Sequence, residues 1–164
     1  MDIQIQPFKP EYWSEVAQIY QHGLLSRNAT FETGVPSFEV WDKKFHPHLR
    51  WVAVQQKQVV GWAALMPISE RKVYAGVAEV SIYMHPDFAG HGIGKKLMQH
   101  LITESEKAGI WSLFASLFPE NTASARIHES LGFRKVGYRE KIAQLDSIWR
   151  DTVIYEKRST TVGI

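Results

Sequence analysis

The stretch from Val77 to Lys107 constrains the fold more than any other part of the chain. From Val77 to Met84 side chains alternate between two faces. Val80, Ile82 and Met84 lie on one, Glu79, Ser81 and Tyr83 on the other, and Pro86 stops the strand. The run Gly90-His91-Gly92-Ile93-Gly94-Lys95 comes next. Ile93, Leu97, Met98, Leu101 and Ile102 then recur on one helical face, with Lys96, Gln99, His100 and Lys107 expected to face water, until Gly109 ends the helix. A strand, a glycine turn and an amphipathic helix in that order predict an anion site, because glycine lets backbone approach a ligand and a helix start presents unpaired amides at its positive end. A plain tight turn is the alternative. The spacing is neither GxxxxGK[ST] nor GxGxxG, which argues against nucleotide hydrolysis and hydride transfer.

The rest of the chain supplies strands and helices around this module. Ile3 and Ile5 alternate with Gln4 and Gln6 in a short strand limited by Pro7. Trp13, Val16, Tyr20 and Leu24 recur at helical spacing from Glu11 onward, Thr30 to Pro36 is loop, and Phe38 to Phe45 is a short helix ended by Pro47. Trp51–Val54 and Val59–Leu65 predict a hairpin around Gln55 to Gln58, and Pro67 to Lys72 is a connection. Trp111 to Phe118 is a further strand. A helix starting at Asn121 follows, ended by Gly132 with Phe133 packing back in a Schellman-like turn. Val136–Ile142 and Ile148–Glu156 predict a closing hairpin around Asp146. One domain over 1–164 is expected from a chain of 164 residues.

Composition narrows the chemistry. A net charge of +2 without a Lys/Arg run is not the footprint of a nucleic-acid binder. With no cysteine there can be no disulfide, thiolate metal site or cysteine nucleophile. His46-Pro-His48 is the closest histidine pair, but it lacks the HExxH pattern and a neighbouring carboxylate, so no metal is expected. No apolar run approaches the roughly 18 residues of a membrane span, and Met1-Asp2-Ile3-Gln4 lacks signal-peptide character. A cytoplasmic enzyme acting on a small molecule is expected.

Ala89-Gly90-His91-Gly92-Ile93-Gly94 resembles the [RQ]xxGx[GA] motif of the GCN5-related N-acetyltransferases, with Ala89 in place of the usual Arg or Gln. Asn121-Thr122-Ala123-Ser124-Ala125-Arg126-Ile127-His128-Glu129-Ser130-Leu131-Gly132-Phe133 resembles that family's NxxAxxLYxxxGF segment. Val73-Tyr74-Ala75-Gly76-Val77-Ala78-Glu79-Val80-Ser81 and Ala29-Thr30-Phe31-Glu32-Thr33 are similar to stretches of the phosphinothricin N-acetyltransferases, although Ala75 and Val77 replace the Arg and Thr common there. The resemblance implies an α/β (α+β) fold, a mixed sheet of about six to seven strands flanked by about four helices. It also implies acetyl-CoA as cosubstrate, a homodimer, and a small glutamate-like amino acid as acceptor.

It further implies a set of site residues. Gly90, His91, Gly92, Ile93, Gly94 and Lys95 are expected at the pyrophosphate, Asn121 and Ser124 at the pantetheine arm, and Ile82, Tyr83 and Met84 at the acetyl end, with the Met84 amide as oxyanion donor. Glu79 is the expected base and His128 stands where relatives have a tyrosine that protonates the leaving thiolate. Phe31, Glu32, Arg71, Lys72, Val73 and Tyr74 are expected at the acceptor, with Arg71 or Lys72 taking an anionic group. Each has a structural alternative: a salt bridge for Glu79, a buried hydrogen-bonded imidazole for His128, a helix cap for Asn121 and exposed loop charges for Arg71 and Lys72. Without a Cys or GxSxG nucleophile, direct transfer is expected over an acyl-enzyme. The competing functions are acetylation of a polyamine, an antibiotic or a peptide N-terminus, and a non-catalytic acetyl-CoA sensor.

Overall fold

The computed structural model describes residues 2–164, so that Met1, the first residue of the expected domain, lies outside it. A seven-stranded sheet runs through the molecule: β1 (Gln4–Pro7), β2 (Arg50–Gln55), β3 (Gln58–Pro67), β4 (Val77–Met84), β5 (Ser112–Leu117), β6 (Arg134–Leu145) and β7 (Ile148–Arg158). Their order across the sheet is β1-β2-β3-β4-β5-β7-β6, and every neighbouring pair is antiparallel except β4 and β5. Helices α1 (Trp13–Leu25) and α2 (Phe38–Lys44) belong to the N-terminal half, α3 (Ile93–Lys107) and α4 (Thr122–Ser130) to the C-terminal half. This is the mixed sheet and helix complement expected from the resemblance. No helix among the described residues is long and apolar enough to cross a membrane.

The two faces of the sheet carry separate cores because β3 is apolar at every position from Val59 to Leu65. Val60, Ala63 and Leu65 pack with Leu97, Met98 and Leu101 of α3, whereas Val59, Trp62 and Ala64 pack with Val16, Ile19 and Tyr20 of α1 and Trp41 of α2. An alternating strand buried on both sides reads as a continuous apolar run. Covering both faces also changes the expected surroundings of β4. Tyr83, on the face opposite Val80, is partly buried and stacks on Trp62, with centroids 4.9 Å apart and planes 17° from parallel. His100 likewise packs edge-on against Trp51, 4.3 Å between centroids, instead of facing solvent.

Turn chemistry sets the hairpins. The β2–β3 turn is Gln56-Lys57 and the β6–β7 turn is Asp146-Ser147, all four residues having positive φ, the two-residue geometry that matches strand twist. Phe133 donates its amide to the His128 carbonyl at 3.1 Å beyond Gly132, which is the expected Schellman end of α4.

Gly76 starts the parallel pairing of β4 with β5. Its carbonyl accepts from the amides of Trp111 (2.8 Å) and Ser112 (3.0 Å), and the Trp111 indole lies so close that a Cβ at position 76 would sit 1.9 Å from it. Gly76→Ala is therefore expected to lower the unfolding free energy by about 1–3 kcal/mol through overpacking, measured by urea denaturation. Gly34→Ala, with open space at its Cβ position, is the control expected to leave stability near that of the parent.

Candidate active site

β4 and β5 pair only at Val77/Ser112, Ala78/Leu113 and Glu79/Phe114. Beyond Glu79, β4 continues along β3 as far as Gly61/Met84 while its other edge has no strand partner. The His85 amide donates to Val60 at 2.9 Å on the β3 side. Because successive strand amides point to opposite edges, the Met84 amide faces the gap.

A groove of about 580 Å³ runs from this gap to the glycine turn, with Ile82, Tyr83, Met84, Gly90, Gly92, Gly94, Lys95, Asn121 and Ser124 among its walls. Gly90 and Gly92 have φ of +80° and +76°, which other residues rarely adopt, and a Cβ at either would meet nothing within 4 Å. Gly94 is needed for a different reason: its Cβ would lie 3.1 Å from Ile127 of α4. No side chain caps α3, whose N-cap residue is Gly92, so its first amides are available to a ligand as unpaired donors. Lys95 and Arg126 bring positive charge to the groove lined by Ala89. This donor set suits a diphosphate. His91 and Ile93 do not line the groove; His91 lies near the Phe88 carbonyl at 3.4 Å, and Ile93 is buried beneath α3.

A second cavity of about 320 Å³ opens from the same gap. Glu79, Phe31, Glu32, Phe118, His128 and Lys44 line it, and it shares Ala29, Ile82, Tyr83, Asn121 and Ser124 with the groove. Glu79 is half-buried at the point where β4 and β5 part; burial pushes its carboxyl above the usual range, and the Lys44 ammonium partly offsets this. The ring of Phe31 sits edge-on to Phe118 at 4.9 Å, closing one side. The structure does not bring Arg71, Lys72, Val73 and Tyr74 to the cavity. Lys72–Tyr74 form a short exposed 3-10 helix preceded by Arg71, whose guanidinium is 5.3 Å from the Tyr74 ring centroid.

Asn121 caps α4 by accepting the Ser124 amide at 3.2 Å while also lining groove and cavity. His128 is 1% exposed, and its Nδ1 lies 2.8 Å from the Ser124 carbonyl. A carbonyl can only accept, so Nδ1 carries the hydrogen and neutral Nε2 is left as an acceptor; Nε2 is buried without a partner. Burial lowers the imidazole pKa, and the Ser124 bond opposes this.

Sequence reasoning missed Lys44 and Arg126. Arg126 was within reach, since it lies in the segment that begins at Asn121, but Lys44 stands 35 residues from Glu79 in the chain and only the packing of α2 brings it in. Among the described residues no group of three or more His, Asp or Glu side chains could hold a metal ion.

A parted parallel strand pair thus joins an uncapped glycine turn, suited to an anion, to a cavity built around a half-buried carboxylate. Residues 12–133 match the model of the acetyltransferase (GNAT) family, and the chain belongs to that family as an acetyl-CoA-dependent N-acetyltransferase. It is 28% identical over 167 residues to the phosphinothricin N-acetyltransferase of Streptomyces coelicolor, covering 95% of this chain and 96% of that one. It is 27% identical over 152 residues to the L-methionine sulfoximine/L-methionine sulfone acetyltransferase of Salmonella typhimurium, covering 83% and 82%. The crystal structure of a phosphinothricin acetyltransferase of the GNAT superfamily from Sinorhizobium meliloti, in complex with AcCoA, has a TM-score of 0.89 at 23% identity, covering 99% of this chain and 91% of that one; the likeness is one of fold.

The His128 imidazole is expected to titrate below 6.5 with its hydrogen on Nδ1, observable by nitrogen-detected NMR of the ring. Because the folded pKa is the lower one, the unfolded chain binds more protons as the medium is acidified. Stability supplied by the neutral ring is thus full above about pH 6.5 and is lost as pH falls through the folded value. A ring that titrates above 6.5 contradicts this geometry.

Proposed function

We propose that the chain acetylates the α-amino group of a small glutamate-like amino acid, of the phosphinothricin, methionine sulfoximine or methionine sulfone type, by direct transfer with Glu79 as base. The observation that carries this reading is the place of Glu79, at the parting of β4 and β5, in the acceptor cavity where it adjoins the groove. The names of the relatives supply the substrate class.

Acetyl-CoA, when bound, supplies an acetyl thioester. The backbone at Gly90 and Gly92 and the first amides of α3 hold its pyrophosphate, with Lys95 and Arg126 supplying the charge that Ala89 lacks. Asn121 and Ser124 line the path of the pantetheine arm, and Ile82 and Tyr83 the junction with the acceptor cavity. Glu79 accepts a proton from the acceptor ammonium, whose ordinary pKa is about 8, the freed amine forms the C–N bond as the C–S bond breaks, and the proton that the nitrogen then sheds neutralises the departing thiolate, which leaves as the CoA thiol. The Met84 amide donates to the oxygen on which charge develops. The acceptor character of neutral His128 Nε2 suits it to receiving a hydrogen bond from the amine side of the site, not to protonating the thiolate. A homodimer is part of this reading, supported by exposed Val136, Tyr138, Ile142, Ile148 and Trp149 on the β6–β7 hairpin at one margin of the sheet.

Glu79→Gln is expected to lower kcat/KM by about 100- to 10,000-fold, the range of general acid–base catalysis, with CoA affinity unchanged by calorimetry. The acid limb of the parent's rate profile should lie above the ordinary carboxylate range, since Glu79 must be ionised to act and burial disfavours that form. Parent-like turnover by Glu79→Gln contradicts the assignment. Separately, Ala89→Arg is expected to tighten CoA binding and not that of a phosphate-free pantetheine, measured by calorimetry; equal affinity for parent and variant would mean that amides, Lys95 and Arg126 already suffice.

A further inference from the structure

The acceptor cavity has an uneven charge inventory. Among the described residues Lys44 is the only lysine or arginine lining it, against two carboxylates, Glu32 and Glu79. Arg150, over the cavity-lining Phe118 ring at 4.0 Å, is committed elsewhere: it donates to the Arg27 carbonyl at 2.9 Å and pairs with Glu120 at 3.3 Å. Ala75 offers no charge, and Arg71 and Lys72 lie outside. An α-amino acid brings one ammonium, which belongs with Glu79, and one carboxylate, for which only Lys44 is left. A second anion on the acceptor's side chain would face Glu32 or Glu79 with no counter-ion, and in a partly buried site such like-charge approach is strongly unfavourable.

A second observation points to what the side chain does carry. Thr152 of β7 is 5% exposed, and its Oγ1 is buried with no hydrogen-bond partner in the wall of this cavity. A buried hydroxyl is normally paired, so one left free at a cavity wall matches a ligand group that can accept or donate a hydrogen bond. Met66, Leu117 and Phe118 supply apolar wall beside it.

We propose that Lys44 receives the acceptor's α-carboxylate and Thr152 the polar end of its side chain, so that the site selects α-amino acids with an uncharged polar side chain over those bearing a second anion. This rests on the amino-acid acetyltransferase reading given above. It relocates acceptor recognition from the loop before β4 to α2 and β7.

Initial rates with acetyl-CoA and L-methionine sulfone, phosphinothricin, norleucine, and methionine sulfone methyl ester test both levels, with spermidine and a short peptide as outside acceptors. The parent enzyme should favour the sulfone over phosphinothricin by at least about tenfold in kcat/KM, and Lys44→Met should raise KM for the sulfone by about 10- to 100-fold, the effect of losing one charge-assisted hydrogen bond. The same substitution should leave KM for the ester, which lacks the carboxylate, nearly unchanged, while loss of the Lys44 charge near Glu79 acts on kcat for acid and ester alike; Lys44→Arg should restore part of the KM loss. Thr152→Val, close in shape, should raise KM for the sulfone and not for norleucine. A preference for phosphinothricin, or an equal rise in KM for acid and ester in Lys44→Met, or for sulfone and norleucine in Thr152→Val, overturns the inference while leaving the acetyltransferase reading in place. Acetylation of spermidine or the peptide with none of the amino acids overturns that reading and the inference with it.

Discussion

Everything functional in this molecule depends on the place where β4 stops pairing with β5. The parallel ladder lasts three residue pairs and ends at Glu79/Phe114. A parallel pair that continued would have covered the backbone from Val80 to Met84 and closed the sheet. Since it parts, one edge of β4 is left with unpaired polar groups, which are tolerated only where a ligand or water can reach them. The gap therefore has to stay open to water or a ligand. Glu79 sits at its apex, with the groove toward the glycine turn on one side and the second cavity on the other. Gly76 fixes where pairing starts by accepting two amides from the β5 side while packed on Trp111.

How much of this could be read beforehand follows from the distance over which each constraint acts. The glycine turn, the N-cap at Asn121 and the Schellman end at Gly132 are local devices, and local sequence specifies them. Even there the three loop glycines looked alike in the chain. The structure separates them, two for their positive φ and Gly94 for the close approach of α4. The placing of Lys44 is non-local. It follows from Trp41, which anchors α2 against Trp62 at 5.6 Å and Trp13 at 5.3 Å, and no periodicity within residues 38–44 encodes that contact. Arg71 and Lys72 illustrate the converse, because nearness in sequence to Glu79 does not bring them to its cavity.

The doubly covered sheet explains why the polar face of β4 that carries Glu79 is not a solvent face. Its alternation of Glu79, Ser81 and Tyr83 with apolar residues is the pattern of a half-exposed strand, yet α1 closes over it. Gly23 makes this possible: a Cβ there would lie 2.6 Å from Tyr83 Cδ1, so α1 approaches β4 as closely as backbone allows. Tyr83 is thereby held between Trp62 and Tyr20, and burial pushes its phenol, like that of Tyr20, well above the ordinary value. Both rings enter the site as neutral, rigid walls.

That rigidity bears on how α4 serves two sites at once. Its first turn is fixed by the Asn121 cap, and the carbonyl of Ser124, one turn before His128, fixes the imidazole tautomer. The helix end is fixed in turn, since Phe133 bonds back to the His128 carbonyl and packs edge-on to the His128 ring at 4.9 Å. The hydrogen-bonding direction of His128 is thus decided by helix backbone, independently of any ligand. A free Nε2 acceptor, an ionisable Glu79 and the open edge of β4 are then present together before an acceptor arrives. In the proposed transfer, such preorganisation would spare the reacting groups the reorganisation that solvent requires when charge develops.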